Sequence, residues 1–378
     1  MMFSEKVSLL GLWFCITLGS CTMDSSPNYI DWKIVTTLPQ EAGALHLGLA
    51  GPVAGILDDK LIIAGGANFP EAMPWEGGEK RYQKKLYIYQ LGDKEGVHLL
   101  STEEFTDSLA YCANAGDSKV FYSLGGERNG KATADVFRYS LQRDKVIREA
   151  LQPLPFPLTN AAAALIGKHL YVVGGENEQE VSNKIFRLNR EKKNASWEEI
   201  AVLPNPVSHS IVVGDGYQRL YVVGGRRKNS MAVTTFYDTV YEVDLPNRKV
   251  KQIASLPQAL AAGTGIYYKG NLIIVGGDNA QTYHKVEELI MAAQQTDHRE
   301  EREKIIEKKN DIQRNHPGFT RRVWCYSIKE KKWDALNDLE GESPVTTTAL
   351  LYKNTVIIPS GEIRAGVRTP QILLGEIR

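Results

Sequence analysis

Leu170-Tyr171-Val172-Val173-Gly174-Gly175 and Leu220-Tyr221-Val222-Val223-Gly224-Gly225 are the stretches of this 378-residue chain that decide its fold. Each is a short apolar run, which is typical of a buried strand, and each ends in a glycine pair. Four further runs end in a similar way, although Ser360 replaces the first glycine of the last one. The final glycines of the six runs are Gly66, Gly126, Gly175, Gly225, Gly277 and Gly361. Their spacings of 60, 49, 50, 52 and 84 residues indicate an internal repeat.

This repeat resembles the kelch repeat, a unit of roughly 50 residues whose second strand closes on two glycines. A strand of small residues precedes the glycine pair, as at 160–166, and an alternating strand follows it, as at 238–243. Small side chains suit an innermost strand, where six blades crowd one axis. Glycine permits the positive φ and the close backbone approach that the strand end requires. The sequence therefore predicts an all-β, six-bladed kelch-type β-propeller over residues 29–378.

The last repeat has no outer strand of its own before Arg378. Residues 31–35, followed by Leu38-Pro39, match the outer-strand pattern of the other repeats. We expect this segment to pair with the strand near residues 371–375. Such pairing closes the ring and leaves no open sheet edge.

The 84-residue spacing contains an insert between the second and third strands of blade five. Residues 284–316 are rich in Glu, Lys, Gln and Ala, and apolar residues such as Val286 and Leu289 recur at helical spacing. The pattern predicts one or two helices within residues 284–318. A solvated face explains the mixed charges most simply, and a lid over a pocket is the alternative.

The first 20 residues predict a signal peptide of the lipoprotein type. Lys6 precedes an apolar run that is too short to span a bilayer, and Leu18-Gly19-Ser20-Cys21 resembles the bacterial lipobox. We expect a lipid on Cys21, a tether over residues 21–28, and a lipid anchor to a membrane. The expected location is the periplasm or outer membrane of a Gram-negative bacterium. An ordinary signal peptide that happens to contain a cysteine is the alternative.

The charges are balanced, with 45 basic and 45 acidic residues. Nucleic-acid binding requires a positive field that releases counterions, so this balance argues against a nucleic-acid partner. Two of the four cysteines, Cys15 and Cys21, lie in the leader. Cys112 and Cys325 lie in predicted strands, where buried free thiols are favoured over a disulfide.

Propellers bind ligands where loops from several blades converge at one mouth of the central channel. The segments that follow the glycine pairs supply these loops, and Asn68, Glu127 and Arg226 are their candidates for substrate contacts. Loops of a purely structural ring also need polar residues to stay solvated. These loops alone therefore assign no chemistry.

The sixth such segment, residues 360–369 (SGEIRAGVRT), combines an acid, a glycine and an arginine. It resembles the catalytic loop of the N-acetylneuraminate epimerase family, sialic acid mutarotases that are six-bladed kelch propellers. Residues 49–55, 64–69 and 224–230 and the helical insert also resemble that family. The family's proposed catalytic pair corresponds to Glu362 and Arg368.

The blade order differs from the family pattern. The blade that matches residues 160–203 comes first in the family, and its catalytic loop lies in mid-chain. This chain therefore looks like a cyclically permuted member. A closed ring tolerates such a rotation because its first and last strands are neighbours in one blade.

The resemblance implies an isomerase that acts on sialic acid, a small sugar acid, and needs no cofactor or metal. The substrate is a cyclic hemiketal with a carboxylate on its anomeric carbon. Mutarotation needs a base for the anomeric hydroxyl proton and an acid for the ring oxygen. Glu362 can exchange protons, and Arg368 can bind the substrate carboxylate through two parallel hydrogen bonds.

Other functions share this fold, because fold does not determine function. A non-catalytic kelch ring that binds a protein or glycan is the first alternative. A sialidase would need a tyrosine nucleophile, an arginine cluster and usually Ser-x-Asp-x-Gly repeats, which this sequence lacks. A copper-radical oxidase would need converging His, Tyr and Cys ligands, which seven histidines and two strand cysteines do not favour.

Overall fold

The apolar runs that end in glycine pairs are the second strands of six antiparallel, four-stranded sheets. The computed structural model describes residues 27–41, 43–92 and 96–378. The predicted signal peptide, the lipidation site Cys21 and most of the tether lie outside the described residues. The prediction of an all-β, six-bladed propeller is confirmed.

The first strand, β1 (Ile30–Thr37), belongs to the last blade. Blades 1 and 2 contain β2 (Val53–Leu57), β3 (Lys60–Ala64), β4 (Ala67–Asn68), β5 (Arg81–Tyr82), β6 (Lys85–Leu91), β7 (Val97–Glu104), β8 (Ala113–Gly116), β9 (Val120–Leu124), β10 (Glu127–Arg128), β11 (Lys131–Ala132), β12 (Val136–Gln142) and β13 (Lys145–Ala150). Blades 3 and 4 contain β14 (Ala162–Ile166), β15 (His169–Val173), β16 (Lys184–Asn189), β17 (Glu198–Val202), β18 (Ile211–Gly214), β19 (Arg219–Val223), β20 (Arg226–Arg227), β21 (Thr235–Phe236), β22 (Val240–Asp244) and β23 (Lys249–Gln252). Blades 5 and 6 contain β24 (Thr264–Tyr268), β25 (Asn271–Val275), α1 (Gln281–Gln295), α2 (Arg299–Arg314), β26 (Val323–Ser327), β27 (Lys332–Ala335), β28 (Leu350–Tyr352), β29 (Thr355–Arg364) and β30 (Val367–Ile377). A single 3-10 turn, Pro74–Glu76, lies between β4 and β5.

The glycine pairs are the points where neighbouring blades join. Gly174 and Gly175 have φ angles of 61° and 92°. A Cβ atom on Gly174 would lie 2.1 Å from the carbonyl oxygen of Val207 in the next blade, so no side chain fits there. The Gly175 N–H donates to that same carbonyl at 2.9 Å. The repeat therefore needs glycine both for its backbone conformation and for this close approach.

The ring closes as the sequence predicts. β1 pairs with β30 in antiparallel register, with Trp32 opposite Gly375 and Ile30 opposite Ile377. The Trp32 indole covers Gly375, where a Cβ atom would lie 2.5 Å from the ring. Trp32 and Ile30 share one buried cluster with Leu373 and with strands of blade 5. The closing strand is therefore an integral part of the core.

A circle of six backbone hydrogen bonds joins the blades at one mouth of the channel. Its members precede the innermost strands, and each N–H donates at 2.7–3.0 Å to the carbonyl of the preceding blade's member. They are Gly51, Tyr111, Asn160, His209, Ala262 and Thr346. Their φ angles are all positive, at 49–60°, although five of them carry side chains. The closed circle holds these residues in a conformation that is otherwise unfavourable for side-chain-bearing residues.

The insert forms two helices, α1 and α2, and begins three residues earlier than the expected start at His284. No residue of either helix is fully buried. Neither of these two described helices has the length and apolar content that crossing a membrane requires. α1 is bound to blade 4, since the Glu287 carboxylate accepts the Thr234 N–H at 2.6 Å and its hydroxyl at 2.8 Å. The His284 imidazole also donates to the Thr234 carbonyl at 2.8 Å.

Cys112 and Cys325 are buried free thiols, as predicted. Burial raises the pKa of Cys112 to about 12 and that of Cys325 to about 11. Both therefore stay protonated at neutral pH and contribute to packing.

Candidate active site

The residue that follows each glycine pair occupies the same structural position in every blade. Each one forms an isolated antiparallel β-bridge with the residue that precedes a member of the hydrogen-bonded circle. In blade order these residues are Ala67, Glu127, Glu176, Arg226, Asp278 and Glu362. The repeat therefore places four carboxylates and one guanidinium around a single mouth of the channel.

A cavity of about 360 Å³ lies at this mouth. Tyr111, Asn160, His209, Ala262 and Thr346 border both this cavity and a channel of about 630 Å³ along the axis. The circle thus separates the mouth from the channel. A cavity of this size falls within the range of small-molecule sites, roughly 300–1,000 Å³.

The cavity brings together three of the residues that the sequence singled out. Glu127, Arg226 and Glu362 all line it. Tyr283 and Val286 of α1 line it as well, so the helical insert contributes one wall.

Glu362 and Arg368 lie on strands where the sequence suggested a loop. β29 and β30 continue past Ser360 and form a hairpin whose tight turn contains Gly366, at φ +78°. Glu362 stands directly opposite Arg368 in this ladder. Its Oε1 accepts the Gly366 N–H at 2.8 Å, and its Oε2 lies 3.5 Å from Nη2 of Arg368. The hairpin therefore fixes the Glu362 carboxylate from two sides.

Arg368 lies behind Glu362, and it is not among the described residues that line the cavity. Its side chain is only 4% exposed, and its guanidinium stacks 4.7 Å from the ring centre of Phe69. Nε and Nη1 have no hydrogen-bond partner among the described residues. Burial raises the pKa of Tyr111 to about 12, and the nearby Arg368 charge acts in the opposite direction.

Glu127 is paired with Lys80 and Tyr82. Lys80 Nζ lies 2.5 Å from its Oε1, and the Tyr82 hydroxyl donates to the same oxygen. Lys80 also stands 4.8 Å above the Tyr111 ring. Because Lys80 neutralises Glu127, this pair presents little net charge to a ligand.

Arg226 has different partners. Its Nη2 lies 3.2 Å from Nε2 of His209, and its guanidinium stacks 4.8 Å from the Tyr283 ring centre. Burial, followed by the Arg226 charge, lowers the pKa of His209 well below its usual value. His209 is therefore neutral, and it accepts a hydrogen bond from Arg226.

Asn68 lies apart from these residues. It is buried, its Nδ2 donates to the Gly48 carbonyl at 3.0 Å, and its Oδ1 accepts from Gln83 at 2.7 Å. Among the described residues that line the cavity, Asn68 does not appear. Its contacts order the chain beside Phe69, the ring on which Arg368 stacks.

Asp278 lines the cavity between Arg226 and Glu362, and sequence reasoning did not select it. Its Oδ1 accepts the Ala280 N–H at 2.9 Å. Burial raises the pKa of Asp278, Glu362 raises it further, and the Ala280 amide, Arg226 and His284 oppose the shift. The signal that could have found Asp278 is its position after a glycine pair, equivalent to that of Glu362.

Within residues 27–41, 43–92 and 96–378, no group of three His, Cys, Asp or Glu side chains is arranged to hold a metal ion. The side chains that line the cavity carry carboxyl, guanidinium, ammonium, hydroxyl and imidazole groups.

A family model described as N-acetylneuraminate epimerase matches residues 152–378. The N-acetylneuraminate epimerase of Salmonella typhi is 26% identical over 157 residues, which cover 41% of this chain and 40% of that protein. The N-acetylneuraminate epimerase of Yersinia enterocolitica is 33% identical over 116 residues, 28% of each chain. This chain thus spans about two fifths of the length of the curated relatives it matches first.

One solved structure, "Structure of YjhT", aligns with a TM-score of 0.62 at 14% sequence identity. The alignment covers 90% of this chain and 97% of that chain, which shows a common fold. The range matched by the family model begins at residue 152, just before blade 3. Blade 3 is the one that the sequence resemblance places first in the family.

Proposed function

This chain belongs to the N-acetylneuraminate epimerase family, and on that premise we propose that it is a mutarotase that interconverts the α and β anomers of sialic acid. The observation that carries the proposal is the presence of two carboxyl groups, Glu362 and Asp278, in one ligand-sized cavity. They come from adjacent blades and occupy equivalent positions. Opening a hemiketal ring needs one proton acceptor and one proton donor, and these two groups supply them.

Glu362 is the proton acceptor. Both of its oxygens face donors, namely the Gly366 N–H and the Arg368 guanidinium. Asp278 is the donor, because its raised pKa keeps its proton to a higher pH than an exposed aspartate would. Two carboxyl groups whose environments differ in this way provide separate base and acid roles.

In the forward step Glu362 removes the proton of the anomeric hydroxyl while Asp278 protonates the ring oxygen. The bond from the anomeric carbon to the ring oxygen breaks, and an open-chain ketone forms. After rotation about the bond next to this carbonyl, the sugar hydroxyl attacks the other face. Asp278 then regains its proton, and Glu362 returns its proton to the carbonyl oxygen. General acid–base assistance of this kind contributes roughly 10²–10⁴ in rate.

Arg368 acts through Glu362 in this scheme. Stacked on Phe69 and almost fully buried, it holds the carboxylate of its strand partner in one orientation. Arg368 is therefore a positioning residue in this proposal.

An NMR time course of freshly dissolved α-N-acetylneuraminate tests the activity. We expect the wild-type protein to speed anomer equilibration and Glu362→Gln to return it towards the uncatalysed rate. Glu376→Gln, on the same sheet but half exposed, is the control and should behave like the wild type. Wild-type protein that leaves the rate unchanged would show that the proposal is wrong.

We also propose that the protein is exported and held at a membrane by a lipid on Cys21, in the periplasm or outer membrane. The Leu18-Gly19-Ser20-Cys21 motif supports this proposal. Cys21→Ser should move the protein from the membrane fraction to the soluble fraction. Wild-type protein that is already soluble would contradict it.

A further inference from the structure

We propose that Arg226 binds the carboxylate of the substrate, in an anion subsite that blade 4 and helix α1 build together. This inference rests on the proposed function and names how its site selects a sugar acid. The carboxylate of such a sugar is attached to the anomeric carbon itself. Holding it at Arg226 therefore places the reacting carbon beside Asp278 and Glu362, which follow in the next two blades.

The charges around the cavity favour Arg226 over the other cations. Lys80 is held by Glu127 at 2.5 Å. Arg368 is almost fully buried, and its Nη2 lies 3.5 Å from Oε2 of Glu362. Arg226 lines the cavity and has a neutral imidazole as its partner. Of these three cations, only Arg226 has no ion pair among the described residues.

A buried relay orients Arg226. His209 accepts from Arg226 through Nε2, so its proton is on Nδ1, which lies 3.2 Å from the Ser208 hydroxyl. Ser208 donates to Glu176 at 2.9 Å, and Asn160 donates to the other Glu176 oxygen at 3.1 Å. The relay ends on a carboxylate that is not among the described residues lining the cavity. Glu176 thus fixes His209 without occupying the guanidinium of Arg226.

The helical insert completes the subsite. The Tyr283 ring of α1 lies over the Arg226 guanidinium. It also makes an edge contact with Phe236, which belongs to blade 4 like Arg226. This cation–π contact restrains the guanidinium of a residue that lines the cavity. A planar guanidinium can then donate two parallel hydrogen bonds to a carboxylate, which lysine cannot do.

The test measures binding of anomerically locked probes, so that it does not depend on turnover. The probes are the methyl α- and β-glycosides of N-acetylneuraminate and the methyl esters of the same glycosides. Calorimetry or saturation-transfer NMR gives their affinities for wild type, Arg226→Gln, Arg226→Lys and the control Arg227→Gln, which changes the exposed neighbouring arginine.

We expect the wild type to bind an acid glycoside about 10–100-fold more tightly than its ester. This ratio corresponds to the usual contribution of charge-assisted hydrogen bonds to affinity. Arg226→Gln should lose this preference, Arg226→Lys should keep part of it, and Arg227→Gln should keep all of it. Far-UV circular dichroism checks that each variant is folded.

The inference is wrong if folded Arg226→Gln retains the preference for the acid, or if the wild type prefers neither form. Its failure is distinguishable from failure of the proposed function. Wild-type protein that binds the acid glycosides through Arg226 but leaves mutarotation unchanged would retain the subsite and reject the activity. If the wild type speeds mutarotation and Arg226→Gln keeps the full preference for the acid glycoside, the subsite is rejected and the activity is retained.

Discussion

Glu362 and Arg368 are direct partners across the β29–β30 hairpin, with Glu362 Oε2 3.5 Å from Nη2 of Arg368. The Glu362 side chain faces the cavity, and the Arg368 side chain lies behind Glu362, against Phe69. The pairing gives the two residues different functions although they are neighbours in the same ladder. In our proposal Arg368 orients the Glu362 carboxylate, and Arg226 is the cation that binds the ligand.

Arg368→Lys should therefore lower kcat for mutarotation with little change in the affinity for an acid glycoside. Lysine keeps a positive charge near Glu362 but loses the planar stacking on Phe69. Steady-state rates by NMR and probe binding by calorimetry separate the two quantities. A variant with normal kcat and a lost preference for the acid over the ester would assign the carboxylate to Arg368 instead.

Asp278→Asn should reduce the rate and change its pH dependence. Burial and Glu362 raise the pKa of Asp278, while Arg226 and His284, which also face it, oppose the shift. Wild-type activity should thus fall as pH rises through this raised pKa, because the proton donor is lost. The fall should be absent in Asp278→Asn, while the exposed control Asp238→Asn should retain it. An identical alkaline decline in Asp278→Asn would assign the proton donor to another group.

Glu287→Ala should weaken binding of the acid glycosides by detaching α1 from blade 4. The substitution removes both acceptors of Thr234, whose side chain is buried. With α1 less firmly held, Tyr283 would no longer keep the Arg226 guanidinium in place. Glu288→Ala, at the exposed neighbouring position of the same helix, is the matched control. Equal affinities of the two variants would show that the Glu287–Thr234 contact does not support the subsite.

Trp32→Ala should destabilise the whole propeller, since the indole of the closing strand packs on Gly375 and is 5% exposed. Removal of a buried tryptophan side chain costs about 3–5 kcal/mol. Lys33→Ala, on the same strand but 66% exposed, should stay within about 0.5 kcal/mol of the wild type. Urea denaturation measures both differences. A Trp32→Ala protein as stable as Lys33→Ala would show that ring closure contributes little.

Much of the fold can be predicted from the sequence because its causes are local and repeated. In five blades a glycine pair ends the second strand because the neighbouring blade leaves no room for a Cβ atom, and Ser360-Gly361 occupies the equivalent position in the sixth. These six positions count the blades. The strand around Trp32 carries the outer-strand pattern that the last blade lacks. The insert shows helical spacing between two of these landmarks, and residues 360–369 carry the acid, glycine and arginine of the hairpin.

The composition of the site was decided by the tertiary structure. Glu127, Arg226, Asp278 and Glu362 are far apart in the chain, and they share one cavity because the ring brings equivalent positions of different blades to a single mouth. Side-chain direction and pairing also lie beyond a sequence pattern. Asn68 turns inward to the backbone of Gly48, and Arg368 is held behind Glu362. Lys80 and Tyr283 reach the mouth only through packing between the blades and the insert, because neither occupies a repeated position. His209 belongs to the repeated circle, but the contact of its side chain with Arg226 depends on packing that the sequence pattern does not encode.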